Sequence, residues 1–336
     1  MHFYQVDSTL ENYWRGIILF GRNVASYKFA LAKALYELRD AQSEVITLDD
    51  LALPFARHIC EHLQQAPKQN TSKQSQFLSA CNAFNRGELD QAALQAATVR
   101  LGFGAVIEAF HNVNNGEIDK RFFLDERRSH KGIRLTDNFF RLTESEQFAN
   151  LLPETEARWR LVEQAWALGV SRNMIAVEYD AADQMLFSRQ GLRRTTITSC
   201  RDSLNGYQKG KCFYCYRSIS IVSGDDALAQ VDHFLPWSLM PQGILRNLDG
   251  VWNLVLACRA CNGSKSARIP SVPLLSRLHT RNEYFINSHL PLRETLLEQT
   301  GKSEKVRRQY LNDRWNTARQ SLLHTWEPEA QGEATF

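Results

Sequence analysis

Cys212-Phe213-Tyr214-Cys215 and Cys258-Arg259-Ala260-Cys261 bracket forty-two residues, and inside that bracket stand Val231-Asp232-His233-Phe234-Leu235-Pro236 and Asn247-Leu248-Asp249-Gly250-Val251-Trp252-Asn253-Leu254. Two CxxC pairs put four thiolates where one tetrahedral zinc ion can collect them at about 2.3 Å. Disulfides are the weaker alternative. The first eleven residues lack a basic segment followed by an apolar stretch, so the chain reads as cytoplasmic, where glutathione keeps thiols reduced. A thioredoxin-like redox pair would account for one CxxC and leave the other unexplained. A four-thiolate site has no position left for water, so the expected Zn²⁺ is structural. Cys60, Cys81 and Cys200 read as small buried apolar residues.

Outward from this stretch, the 336-residue chain has the composition of a soluble globular protein, 43% hydrophobic and 23% charged. That excludes a wholly disordered chain, a collagen-like chain and a disulfide miniprotein. No run approaches the roughly 18 to 20 apolar residues of a membrane helix, so no membrane partner is expected. The net charge of +3 says little by itself. Its distribution says more. Residues 185–275 carry eleven Lys or Arg against five acids, so the positive charge is concentrated around the cysteine pairs.

Asp232-His233 followed by x-x-Pro236, Asn253-Leu254 before the second pair, and Cys261-Asn262-x-x-Lys265 within and after it occur together. In this combination residues 205–270 resemble an HNH endonuclease, a member of the ββα-metal nucleases. The residues suit such chemistry on their own terms. A carboxylate fits a hard divalent cation, and a neutral imidazole can take a proton from water near neutral pH. The resemblance implies that Asp232 and Asn262 hold a catalytic Mg²⁺ or Mn²⁺, that His233 is the general base, and that Asn253 ties down the loop carrying it. Many members have His at the last motif position. Asn262 is a weaker, neutral ligand, which disfavours softer metals; the HNH domains of RNA-guided CRISPR nucleases carry a similar Asp-His…Asn set. Lys265, three residues after Asn262, is expected at a phosphate. Arg268, Arg193, Arg194 and Arg201 are the other expected nucleic-acid contacts.

The flanks read as helical. Ser8-x-x-Glu11 predicts a capping box and a helix ending near Gly21. Tyr27, Leu31, Leu35 and Leu38 make one apolar face, and Thr47-x-x-Asp50 opens a helix with Leu51, Phe55, Ile59 and Leu63 in line. Short β runs are expected near Phe122 and Ile133, and a helix through Trp159, Val162 and Trp166. The segment 189–207 is expected as a helix entering the first cysteine pair, and Val306, Tyr310 and Trp315 as inward residues of a last helix. His289 is a minor candidate for a supporting role at the site.

These readings predict a mainly α protein with a small α+β module, a ββα-metal core stapled by zinc between helical N- and C-terminal regions. The expected divisions are 1–145, mainly helical; 146–188, a helical and β connector; 189–275, the module; and 276–336, a helical C-terminal region. The expected activity is DNA phosphodiester hydrolysis in bacterial restriction or anti-phage defence. The partners expected are DNA and an activating or targeting protein, with a homodimer as one route to double-strand cleavage. Two alternatives stand beside it: a non-catalytic zinc-ribbon binding module, which would need neither His233 nor Asn262, and an RNA-directed nuclease using the same site.

Overall fold

The computed structural model of the chain describes residues 8–21, 25–40, 43–71, 75–113, 116–167, 177–180, 184–190, 193–287, 292–322, 324–329 and 332–336; at 177–180, 187–190 and 193–198 it describes the backbone only. His289 lies outside these residues. The contacts divide the chain into two units, one built on Ser8–Trp159 and the other on Val170–Phe336.

In the first unit the Thr47 hydroxyl accepts from the Asp50 amide and the Asp50 carboxylate accepts from Thr47, a complete capping box that starts the helix Leu48–Gln65. Leu51, Phe55, Ile59 and Leu63 of that helix are buried, as their spacing predicts. The Ser8 box does not form. Thr9 is the cap of the helix Leu10–Phe20 and makes no side-chain cap bond; this start also places Glu11 one position too early for the reciprocal bond of a capping box. Strand Gly132–Leu135 lies between Val45–Thr47 and Phe123–Glu126, antiparallel to both. A Cβ at Gly132 would meet the Ile46 carbonyl oxygen at 2.1 Å, so only glycine allows the strands to approach there. Cys60 and Cys81 are buried thiols.

The second unit begins with an antiparallel meander, Val177–Asp180, Met185–Gln190 and Arg193–Ser199, before the helix Cys200–Gln208. The helix expected over 189–207 is thus corrected to two strands and a shorter helix. The β-branched run Thr195-Thr196-Ile197-Thr198 favours a pleated strand over a helix. Strands Gln230–His233 and Leu254–Ala257 pair antiparallel, His233 opposite Leu254 and Asp232 opposite Val255, and the helix Arg259–Lys265 follows. Together they are the ββα module. The helices Val272–Asn287, Leu292–Thr300 and Glu304–Ser321 come next, and the strand Thr325–Trp326 returns parallel to Ile269–Pro270. Tyr310 packs edge-on against the buried Trp252, and the Trp315 indole donates to the Pro270 carbonyl. Val306 does not point inward; it is 53% exposed. The fold is mainly α, with small sheets. None of the described helices is long and apolar enough to cross a membrane.

Candidate active site and metal centre

The four cysteines come from two turns held together by backbone and side-chain bonds. The Phe213 amide donates to the Leu256 carbonyl, joining the first pair to the second strand of the module. Arg277, on the helix Val272–Asn287, donates to the carbonyls of both Phe213 and Tyr214 at 2.7 Å and lies over the Tyr216 ring. The ligand atoms of Cys212, Cys215, Cys258 and Cys261 all lie within 4.8 Å of one another, positioned to bind a metal ion, and none is in a disulfide. The Cys258 amide points at the Cys212 sulfur at 3.3 Å, the kind of N–H···S contact that stabilises a thiolate ligand. Shared hydrogen bonds among the sulfurs hold the Cys215 thiol down, to about 2, and push Cys212 up. All-sulfur donors in this closed, buried arrangement fit a structural zinc site.

Asp232 and His233 end the strand Gln230–His233 and point to opposite faces. Asp232 is buried; one oxygen accepts from the Tyr214 hydroxyl at 2.6 Å and the other from the Lys265 ammonium at 3.1 Å. Burial chiefly, and then the Asp232 charge, push the Tyr214 pKa far up, so this hydroxyl stays a donor. His233 is 16% exposed, and its Nε2 lies 2.8 Å from an Asp249 carboxylate oxygen. A carboxylate only accepts, so Nε2 carries the proton in this contact. The Asp249 partnership was not foreseen from the sequence, although Asp249 stands in the quoted stretch. It forms because the loop 234–250 folds back over the strand end.

Asn253 is fully buried and clamps that loop. Its Oδ1 accepts from the Leu235 amide at 2.8 Å, and its Nδ2 donates to the Leu235 and Leu248 carbonyls at 3.1 and 2.9 Å. One side chain therefore ties the residue two beyond His233 to the residue just before Asp249. Asn282 and Arg281, from the helix Val272–Asn287, both donate to the Trp252 carbonyl and support the turn from which Asn253 projects.

Asn262 donates from Nδ2 to the Gln230 side chain at 2.7 Å, which leaves its Oδ1 as the ligand-type oxygen. Gln230 and Asp232 alternate to the same face of their strand, so Asn262 addresses the Asp232 face. Lys265 departs from expectation. It is 1% exposed, and its ammonium donates to the Asp232 carboxylate and to the His233 carbonyl, not toward a phosphate in solvent. It is the last residue of its helix, and the chain turns sharply at Ser266 (φ 48°), which leaves the side chain free to fold back over the strand. Burial lowers its pKa, and the Asp232 charge opposes that shift. Arg201 is also engaged within the protein, on the Ala229 carbonyl and the Gln184 side chain, where it pins the start of the strand Gln230–His233. Arg268 is exposed and donates to the Ser264 carbonyl. Arg193 and Arg194 lie on a strand, and their side chains fall outside the described residues.

A buried carboxylate backed by two donors, an imidazole oriented by a second carboxylate, and an amide oxygen facing the first carboxylate are thus gathered on two strands and one helix, beside a four-cysteine centre. Residues 212–271 match the family model of HNH endonucleases. This stretch is an HNH module. The match spans the cysteine centre, the Asp232-His233 strand end, Asn253 and Asn262, and stops before the helix that carries Arg277, Arg281 and Asn282. No curated protein and no solved structure matches the chain.

Proposed function

We propose that the HNH module is a metal-dependent endonuclease that hydrolyses DNA phosphodiester bonds, with His233 as general base. The observation that carries this reading is the His233–Asp249 contact at 2.8 Å, next in the chain to a buried carboxylate and on a loop clamped by Asn253. The Asp249 carboxylate fixes the imidazole's tautomer and stabilises the imidazolium that forms when Nδ1 takes the proton of the attacking water. Asn253 holds that geometry before substrate arrives. A rigid base needs no reorganisation at the moment of reaction.

The residues fit a hard divalent cation. A carboxylate offers about four lone-pair sites, of which Tyr214 and Lys265 use two of those on Asp232, and the Asn262 oxygen supplies a second donor. Two oxygen ligands from the protein, with phosphate and water completing the shell, is the usual manner of Mg²⁺ binding in phosphoryl chemistry. Bound there, Mg²⁺ or Mn²⁺ would offset the charge that builds on the phosphate and on the leaving oxygen. Lys265 and Tyr214 serve by holding the Asp232 carboxylate in place. The excess of basic residues over 185–275 supports a polyanionic substrate. The setting we assign is bacterial restriction or anti-phage defence, in the cytoplasm.

The test is plasmid cleavage by the purified chain and by His233→Ala, with Mg²⁺, Mn²⁺ or EDTA. Nicking or linearisation that needs the metal and disappears in the variant is the expected result. Cleavage that survives His233→Ala would remove the base assignment, and RNA cut in preference to DNA of the same sequence would change the substrate.

A further inference from the structure

The aromatic residues of the module are in its interior with one exception. Phe213, Tyr214, Phe234 and Trp252 are fully buried, whereas Trp237, four residues after His233, is 47% exposed. Among the described residues it is the one aromatic side chain that is exposed, and it makes no described hydrogen bond or ring contact. An exposed indole offers a flat apolar face, with a polar edge, to whatever binds beside it.

The turn that presents it is anchored on both sides. Leu235 is held at its amide and its carbonyl by Asn253. Pro236 and Leu239 are buried, and the Leu239 carbonyl accepts from the amides of Ile244 and Leu245. These last two bonds join the arms of the loop and bring the chain around Trp237 beside the chain around Arg246. Arg246 is exposed, and no described carboxylate or carbonyl holds its guanidinium. The other exposed residues of the loop, Pro241, Gln242, Gly243 and Asn247, form no continuous apolar patch, so a protein-docking surface is the poorer fit. One rigid aromatic plane with one free cation is the pattern that holds a nucleotide, base on the ring and phosphate on the guanidinium.

Four residues span at most about 14 Å even when fully extended. The indole therefore addresses the same short stretch of strand as a phosphate attacked at His233. An indole cannot stack on a base that is already sandwiched in an intact duplex.

We propose that Trp237 and Arg246 form a nucleotide-holding site that stacks one unpaired base beside the scissile phosphate, so that the enzyme prefers single-stranded or locally opened DNA over intact duplex. This rests on the nuclease reading above and names its substrate class. The test measures binding and needs no cleavage. The full-length His233→Ala chain is titrated by fluorescence anisotropy against a labelled 30-nucleotide single strand and against the same strand in duplex. Trp237→Ala, Trp237→Phe and Arg246→Ala are then added in that background. Trp237→Ala is expected to weaken single-strand binding about 5- to 100-fold and duplex binding less than twofold, with Trp237→Phe recovering most of the loss. Arg246→Ala is expected to lower the salt dependence of single-strand binding by about one phosphate contact. Single-strand affinity unchanged in Trp237→Ala, or lost equally for both forms, overturns the proposal and leaves the nuclease reading to the plasmid assay. A parent chain that binds no single strand overturns it as well.

Discussion

Asn253→Asp replaces one atom and should undo the loop clamp. The carboxylate can still accept from the Leu235 amide, but the two bonds from Nδ2, to the Leu235 carbonyl at 3.1 Å and the Leu248 carbonyl at 2.9 Å, are lost. In their place a carboxylate oxygen faces two buried carbonyl oxygens. A buried polar group left without its partner costs about 1 to 3 kcal/mol, so two carbonyls put the loss at about 2 to 6 kcal/mol, with repulsion favouring the upper half. The loss should depend on pH. Burial and the facing carbonyls raise the new carboxyl's pKa above the value of about 3.9 it has in the unfolded chain. When protonated, it can donate to one carbonyl again. The folded state then holds a proton that the unfolded chain releases, so the variant is closest to wild type at pH 5 and loses stability as the pH rises to 8. Urea unfolding at both values, with amide hydrogen exchange over 231–240, measures it. A change below about 1 kcal/mol at both pH values, with the Leu235 amide as protected as in wild type, would refute the claim that Asn253 holds the loop.

Three further outcomes are expected. Cys258→Ser, or stripping the metal with a strong chelator, should unfold the HNH module, since structural zinc supplies about 10 to 16 kcal/mol of apparent binding energy in small domains; metal content and thermal melting of the same samples check it, and a folded, metal-free variant would sink the assignment. Asp249→Asn should leave DNA affinity unchanged and slow cleavage about 10- to 100-fold, the usual size of losing a partner that orients a site ligand or base; single-turnover cleavage at wild-type speed would count against the dyad. In the first unit, burial holds the His111 pKa down to about 3 from 6.5, and its Nε2 accepts from the Phe122 amide. The unfolded chain takes up this proton below about 6.5 while the fold does not, so stability falls as the pH drops from about 6.5 towards 3. His111→Gln, which keeps an acceptor without the titration, should flatten that slope in acid melts, and an unchanged slope would assign it to other groups.

What could be read in the sequence was whatever is encoded by short spacing. The two CxxC pairs and the Thr47 capping box are local patterns, and the structure closes both; Asp232-His233 stands at a strand end within the matched stretch. The β-branched run Thr195-Thr196-Ile197-Thr198 is also a local signal, and it outweighs the helical expectation for 189–207. Contacts set by how loops return were not legible. Asp249 meets His233 across sixteen residues of chain, and no periodicity in the segment announces that pairing. Lys265 shares a helical face with Asn262 on paper, but its helix ends at that residue and the ammonium turns back to Asp232. Arg201 likewise looks like a solvent-facing cation until the strand start at Ala229 packs against it. Long cations carry their charge several ångströms from the backbone, so their targets depend on tertiary neighbours that no local pattern specifies.

Tyr214 lies between the two cysteines of the first pair, and its hydroxyl is bonded to Asp232. The turn that Cys212 and Cys215 would make around a shared ion therefore also braces the carboxylate. On that geometry, losing the ion would loosen Tyr214 and with it one of the two side-chain donors that hold Asp232. The cysteine centre and the Asp232 strand end are thus coupled through one hydroxyl.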